Sequence, residues 1–119
     1  MTENRYMIKN KIVLVPFPFD DFSSLKVRPA LCLSNPISKY GHVVIAFISS
    51  QIPDEVLDTD IVVRKGTAEF AGTGLLVDSV VRVHKIVTIT KSSIKRELGA
   101  IDAELQKEVL LRIDRVFKW

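Results

Sequence analysis

The stretch KIVLVPFPFDDFSSLKVRPALCLS, residues 11–34, decides the fold that we predict for this chain. Its first part, residues 12–15, is short, apolar and rich in β-branched side chains, which is typical of a buried strand. Pro16 and Pro18 lack the amide proton that a continuing strand needs, so we predict that this strand ends near Pro16. A second apolar run at residues 30–33 returns the chain to the core. The stretch is therefore interpreted as two strands joined by a long loop.

The loop between these strands, residues 17–27, is longer than a β-hairpin needs. It contains Asp20, Ser23 and Lys26, which are typical loop residues, and we interpret it as a functional flap. Arg28 stands where the flap re-enters the sheet. A guanidinium anchored on a strand beside a loop is suited to bind a phosphate through two parallel hydrogen bonds. Arg28 is therefore the first candidate functional residue.

The composition is that of an ordinary folded protein. The chain has 119 residues, of which 47% are hydrophobic and 26% charged. This length suits one domain spanning residues 1–119 and is too short for two. No apolar run approaches the roughly 20 residues of a membrane helix, and the N-terminus lacks the apolar centre of a signal peptide. We therefore expect a cytoplasmic protein that does not contact a membrane.

The net charge indicates the kind of partner, and the absence of metal or cofactor motifs excludes several classes of site. The net charge of +3 favours a polyanionic partner. The single cysteine, Cys32, excludes an internal disulfide and a zinc site of the usual spacing. The acid pairs Asp20/Asp21 and Asp58/Asp60 are interpreted as solvated loop residues. Because neither a nucleophile-elbow motif nor a dinucleotide fingerprint occurs, we expect no metal and no cofactor.

The rest of the chain predicts short strands and then a helix. Strands are predicted at residues 42–48, 61–63, 75–77 and 80–89, and the one at 61–63 is expected at a sheet edge. Residues 66–74 are interpreted as a glycine-rich connector. One helical turn is predicted at residues 91–94, and it ends at residues 98–99. Asp102 is predicted to cap a terminal helix. The apolar stripe of this helix is expected to pack on the sheet, and the alternative is that it binds a partner. The stripe comprises Leu98, Ile101, Leu105, Val109, Leu110, Ile113, Val116 and Phe117. This order predicts a mainly β protein with a small, partly open barrel.

Polar side chains occur at two places in these strands. Ser49, Ser50 and Gln51 follow the strand at residues 42–48. In the strand at residues 80–89, Arg82 and His84 alternate with valines, so one face of this strand is predicted to be partly polar. A histidine can serve as a base near neutral pH if it lies in a binding groove, and otherwise it is a structural residue.

Four segments in order resemble the MazF/PemK (Kid-like) growth-inhibitor toxins of bacterial toxin–antitoxin systems. They are IVLVPFPFDDFSSLKVRPALCLSN at 12–35, IAFISSQ at 45–51, GTGLLVDSVVRVHKIVTI at 72–89 and the tail from Lys91 onward. The resemblance implies an SH3-like, partly open β-barrel with a C-terminal helix, assembled as a homodimer. It also implies a sequence-specific, metal-independent endoribonuclease that cleaves single-stranded mRNA to 2′,3′-cyclic phosphate and 5′-hydroxyl ends. The implied partner is a MazE-like antitoxin with an acidic tail, through which the toxin contacts DNA indirectly.

The resemblance also assigns residues. Arg28 matches the arginine of the family's Arg-Pro-Ala/Val element, and Ser49 matches the threonine or serine of its strand-end element, which Gln51 completes. These two are the implied catalytic residues. The implied substrate-binding residues are Phe17, Asp20, Ser23, Lys26, Ser50, Gln51, Arg82, His84 and Lys85. The chain departs from many relatives at two pairs: Asn10-Lys11 replaces Gly-Asp, and His84-Lys85 replaces an acid or amide pair.

The chemistry of RNA cleavage gives these residues different roles. Attack by the 2′-hydroxyl adds negative charge at phosphorus, which the Arg28 guanidinium can stabilise and to which Ser49 can donate a hydrogen bond. A guanidinium stays protonated at neutral pH, so Arg28 is poorly suited to remove a proton. The alternative function is a catalytically silent SH3-like module that binds nucleic acid or protein. The two functions differ in whether Arg28 and Ser49 must face one phosphate-sized space.

Overall fold

The computed structural model describes residues 7–16 and 26–118, and this part of the chain forms one antiparallel sheet followed by a helix. The elements are β1 (Lys11–Pro16), β2 (Val27–Cys32), β3 (His42–Ser49), β4 (Asp60–Val63), β5 (Ser79–Thr90), a 3-10 turn (Lys91–Ser93), β6 (Arg96–Ala100) and α1 (Ala103–Val116). The strand order is β4-β5-β3-β2-β1-β6. The sheet curls into a half-barrel, so the prediction of a mainly β, partly open barrel with a C-terminal helix is confirmed. Within the described ranges no helix has the length and apolarity needed to cross a membrane.

The first two strands follow the sequence prediction. β1 ends at Pro16, which pairs with Val27 at the start of β2. Asn10, just before β1, has φ 75°, a left-handed conformation that glycine and asparagine adopt at the lowest cost. Asn10 therefore suits the turn that leads into β1.

Both faces of the sheet are covered by apolar side chains. On one face, Leu105 and Val109 of α1 pack against Ile61 and Val83 and complete a core shared by the whole sheet. On the other face, Val13, Val15, Ala30, Cys32, Val43 and Ile45 are fully buried. Strands buried on both faces explain why their sequences are nearly continuous apolar runs.

Helix α1 begins and packs largely as predicted. The Asp102 carboxylate accepts a hydrogen bond from the Leu105 amide at 2.8 Å, which caps the helix. The prediction was wrong for Leu110 and Phe117, which are 61% and 64% exposed. Leu110 lies about 100° around the helix from Val109 and so leaves the buried stripe. Phe117 is the C-cap, directly after the last helical residue.

The sequence interpretation was wrong about two strands. Residues 75–77 form no strand: Leu75 is buried, but Leu76 is 82% exposed. Conversely, β6 was missed because it is a polar edge strand paired only with β1. Gly99 in β6 lies against the backbone of Gly72 and Thr73, where a Cβ atom would not fit. The predicted edge position of β4 is correct.

The long strand β5 contains an irregularity that affects the candidate site. Ala46 of β3 pairs with Ile86, but its neighbour Phe47 pairs with Arg82. The three β5 residues between these pairs therefore have no partner in β3. Such a bulge changes the direction in which side chains project and breaks the alternation expected from the sequence.

Candidate functional site

A cavity of about 740 Å³ lies at the ends of β2 and β3. It brings together six of the residues that the sequence singled out: Arg28, Ser49, Ser50, Gln51, Arg82 and Lys85. The remaining described residues that line it are Leu14, Val27, Pro29, Phe47, Ile48, Gly74, Leu75, Leu76, Val77, Ser79, Arg96 and Leu98. We refer to this cavity as the groove.

The positions of Arg28 and Ser49 follow from the register of the sheet. Ala30 of β2 pairs with Phe47 of β3. Continuing this antiparallel register by two residues places Arg28 opposite Ser49, and side chains two residues apart on a strand share a face. Both residues are half-buried and line the groove. A guanidinium and a hydroxyl therefore face the same space from two neighbouring strands.

A tight turn fixes the hydroxyl of Ser49. Its Oγ accepts a hydrogen bond from the Gln51 amide at 3.0 Å, and the hydroxyl donates a longer hydrogen bond, at 3.4 Å, to the Gln51 carbonyl oxygen. Serine commonly ends a strand in this way, because its side chain satisfies a backbone donor two residues on. The turn leaves Ser50 and Gln51 exposed along the groove.

Arg82 is held by a buried acid. Its Nε donates to Asp60 Oδ1 at 2.8 Å, and its Nη2 donates to Asp60 Oδ2 at 3.4 Å. The Asp60 side chain is fully buried, whereas that of Arg82 is 19% exposed. The guanidinium therefore connects an acid inside the protein to the groove.

His84 lies elsewhere. Its Nδ1 is 2.8 Å from the Thr59 hydroxyl and 3.9 Å from Asp60 Oδ1, and it does not line the groove. Arg82 and His84 both approach Asp60 Oδ1, at 2.8 and 3.9 Å, as their predicted alternation with valines requires. The bulge in β5 interrupts the pairing with β3 after Arg82, and Lys85 lines the groove together with Arg82 whereas His84 does not.

The remaining predicted site residues belong to the flap. Lys26 is exposed just before β2 and is not among the residues that line the groove. Phe17, Asp20 and Ser23 lie outside the described residues. The structure therefore locates only the C-terminal end of the flap.

The groove is strongly basic. Four cationic side chains line it, namely Arg28, Arg82, Lys85 and Arg96, and none of its described lining residues is acidic. Walls of a single sign concentrate the electrostatic field within a cleft and attract a ligand of opposite charge. The sequence analysis did not predict Arg96 as a site residue, because it did not recognise β6 as a strand. The alternate positions of Arg96 and Leu98, which both line the groove, are the sequence signal that could have indicated this strand.

A second cavity, of about 600 Å³, has a different character. It lies between α1, β4 and the segment before β4, and its lining includes the four acids Asp60, Glu69, Glu104 and Glu108 and only two cations, Lys107 and Arg112. In this region Arg112 and Arg115 contact Asp58, which ties the segment to the helix. The acids there disfavour a polyanion, so the groove is the better candidate nucleic-acid site.

Cys32 is not a candidate nucleophile. Its side chain is completely buried in the sheet core. Burial, and secondarily the negative charge of Glu97, raises the pKa of the Cys32 thiol to about 11. A buried thiol that remains protonated at neutral pH is unreactive.

Comparisons with known proteins agree with the fold described above. A family model described as PemK-like, MazF-like toxin of type II toxin-antitoxin system matches residues 9–117. No curated protein sequence matches the chain.

Three solved structures illustrate the likeness. The Mycobacterium tuberculosis toxin MazF-mt6 is 22% identical with a TM-score of 0.69, and the match covers 92% of this chain and 99% of that one. A MazE-MazF structure from Deinococcus radiodurans is 16% identical with a TM-score of 0.71, covering 93% and 95%. An endoribonuclease in complex with its cognate antitoxin from Mycobacterial species is 14% identical with a TM-score of 0.69, covering 95% and 98%. At these identities the likeness shows the fold.

Proposed function

The chain belongs to the family of PemK-like, MazF-like toxins of type II toxin–antitoxin systems, and on this premise we propose that it is an endoribonuclease that cleaves single-stranded mRNA in the groove. Toxins of this family are generally endoribonucleases. The observation that carries the proposal is that Arg28 and Ser49 line one basic cavity without a lining acid among the described residues. This arrangement suits a phosphodiester, which carries one negative charge per nucleotide.

In the proposed reaction the 2′-hydroxyl of the RNA attacks the adjacent phosphorus. The O2′–P bond forms and the P–O5′ bond breaks, while solvent water takes up the proton of O2′ and solvent returns one proton to O5′. The products are a 2′,3′-cyclic phosphate and a 5′-hydroxyl. No water is consumed in this balance, and the role assigned to the protein is to align the strand and stabilise charge.

Arg28 and Ser49 are assigned the charge stabilisation. The Arg28 guanidinium binds the non-bridging oxygens, whose negative charge grows in the transition state. The Ser49 hydroxyl donates only a long hydrogen bond of 3.4 Å to the Gln51 carbonyl oxygen, and when RNA binds it rotates to donate to a phosphate oxygen instead. Removing one such donor in other enzymes costs on the order of 10²–10³ in rate. His84 has no part in this mechanism, because it lies outside the groove.

The other groove residues are assigned to substrate binding. Lys85 and Arg96 neutralise phosphates that flank the cleavage site, and Ser50 and Gln51 offer hydrogen bonds to base edges. The exposed apolar side chains of Leu76 and Val77 lie beside them and can pack against bases. Together these contacts supply the sequence specificity of the proposed activity.

The proposal includes partners and a location. An acidic antitoxin tail is complementary to the basic groove and blocks RNA there by charge and by occupying space. We further propose a homodimer, a cytoplasmic location together with the mRNA, and contact with DNA only through the antitoxin.

Mapping RNA ends tests this proposal. The purified protein is incubated in EDTA with several long single-stranded RNAs of different sequence, and the new ends are mapped and typed. We expect cuts at one short sequence with 5′-hydroxyl and 2′,3′-cyclic phosphate ends. If every RNA stays intact, the proposal is wrong and a binding module becomes the better description.

A further inference from the structure

The ion pair between Asp60 and Arg82 combines two features that a surface ion pair lacks. The Asp60 side chain is fully buried, and besides Arg82 it accepts a hydrogen bond from the Leu57 amide at 2.9 Å. A buried carboxylate without a partner is strongly destabilising, so Arg82 is tightly held. Yet Arg82 lines the groove together with Arg28 and Ser49. The acid thus fixes the position of a cation that faces the proposed RNA site.

The geometry of the pair leaves part of the guanidinium available. Asp60 occupies Nε and Nη2 of Arg82. Within the described part of the chain, Nη1 of Arg82 takes part in no hydrogen bond. A guanidinium offers its donors in a planar fork, so one edge can bind a carboxylate while the remaining donors bind a phosphate. The ion pair with Asp60 already restricts the Arg82 side chain in the folded protein. Binding a phosphate therefore costs less side-chain entropy, which favours binding.

The sheet register separates this guanidinium from Arg28. Arg82 pairs with Asp60 of β4 on one side and with Phe47 of β3 on the other. Two strand spacings and two residues along β2 put the Cα atoms of Arg82 and Arg28 roughly 12 Å apart. Asp60 draws the Arg82 guanidinium toward β4, away from β2. The two arginines therefore suit different phosphates.

We propose that Asp60 is a positioning residue that orients Arg82 to bind a second phosphate of the RNA, distinct from the phosphate at Arg28. This inference rests on the proposed function, since it assumes that RNA lies in the groove. For the loss of the Asp60 charge, the inference predicts a change in RNA affinity opposite in sign to that expected from simple electrostatics. Removing an acid near a polyanion site should by itself strengthen binding, whereas losing the orientation of Arg82 weakens it.

The test uses a single-stranded RNA oligonucleotide in which every 2′-hydroxyl is methylated. Such an RNA lacks the nucleophile, so its binding is measured whether or not the protein cleaves RNA. Fluorescence anisotropy over a range of KCl concentrations gives the affinity and its salt dependence. We compare the wild-type protein with Asp60→Asn, Arg82→Ala, Arg82→Lys and the double variant Asp60→Asn/Arg82→Ala.

The expected results follow from the loss of one oriented phosphate contact. Arg82→Ala weakens binding about ten-fold and reduces the slope of log affinity against log salt by about 0.7. Asp60→Asn also weakens binding, and in the Arg82→Ala background it has no further effect, because the two residues act as one unit. Arg82→Lys weakens binding as well, since lysine keeps the charge but lacks the fork.

Asp58→Asn is the matched control. Asp58 lies two residues away, is exposed and pairs with Arg115 outside the groove, so its replacement should leave RNA affinity unchanged. Thermal unfolding of each variant reports whether it is folded. The inference is overturned if folded Asp60→Asn binds as tightly as wild type or more tightly, or if the double variant shows additive losses. If Asp60→Asn does not fold, Arg82→Lys decides: wild-type affinity in that variant contradicts the inference.

These outcomes are distinct from a failure of the proposed ribonuclease. Absence of cleavage of ordinary RNA, with the binding pattern above intact, rejects the enzyme and keeps the Asp60–Arg82 site. Normal cleavage with an unchanged affinity in Asp60→Asn rejects the site and keeps the enzyme.

Discussion

The Gln51 amide donates a hydrogen bond at 3.0 Å to the hydroxyl oxygen of Ser49, the last residue of β3. This bond fixes the hydroxyl at the end of β3, and the sheet register puts the Arg28 guanidinium across from it on β2. The pairing of a rigid hydroxyl with a guanidinium is the structural basis of the proposed activity. It depends on the backbone of two neighbouring strands.

Replacing Ser49 separates chemistry from folding. Ser49→Ala removes the donor to the phosphate oxygens, so we expect kcat for RNA cleavage to fall on the order of 10²–10³-fold. Ser49→Thr keeps the hydroxyl and should retain activity within a few-fold. Single-turnover cleavage of an oligonucleotide that contains the mapped site measures both. Equal activity of the alanine and threonine variants would contradict the role given to Ser49.

Two leucines of α1 offer a matched test of how the helix packs. Leu105 is 4% exposed in the core, whereas Leu110 is 61% exposed on the same helix. We expect Leu105→Ala to lower the free energy of unfolding by about 2–5 kcal/mol, because it leaves a cavity. Leu110→Ala should change it by less than about 0.5 kcal/mol. Urea denaturation measures both values, and similar losses would show that the helix packs on a different face.

The buried thiol predicts a pH effect on stability. Because the pKa of Cys32 is raised to about 11 from an ordinary value of 9.0, the folded protein holds the thiol proton more tightly than the unfolded chain does. The resulting stability is fully present below about pH 9 and is lost as pH rises through about 11. Urea denaturation of the wild-type protein and Cys32→Ala from pH 7 to 11 measures it. We expect their stability difference to be constant up to about pH 9 and then to shift against the wild type; a constant difference throughout would contradict the raised pKa.

The sequence predicted those parts of the fold that depend on local patterns. The apolar run of β1, the stop at Pro16 and the Asp102 cap each follow from a few adjacent residues. Long-range pairing decided the rest. β6 was missed because Arg96 and Glu97 are polar, and only pairing with β1 makes that segment a strand. Residues 75–77 have the composition of a strand but no partner strand.

The candidate site likewise combines residues that local motifs reveal with residues that only long-range pairing brings together. The sequence motifs singled out Arg28, Ser49 and Gln51, and the structure puts all three beside one groove. The bulge opposite Ala46 and Phe47 determines which β5 side chains join them in the groove. No local sequence pattern encodes this bulge. The buried Asp60 was interpreted as a solvated acid, because its partner Arg82 is distant in sequence.

The central claim is that Arg28 stabilises the transition state of RNA cleavage, and the rate of Arg28→Ala tests it most directly. The matched control is Arg64→Ala, which also removes one positive charge but at an exposed arginine paired with Asp78 outside the groove. In single-turnover cleavage in EDTA, we expect Arg28→Ala to lose at least about 10²-fold in rate, with Arg64→Ala close to wild type. If the two variants cleave at the same rate, the proposed mechanism is wrong.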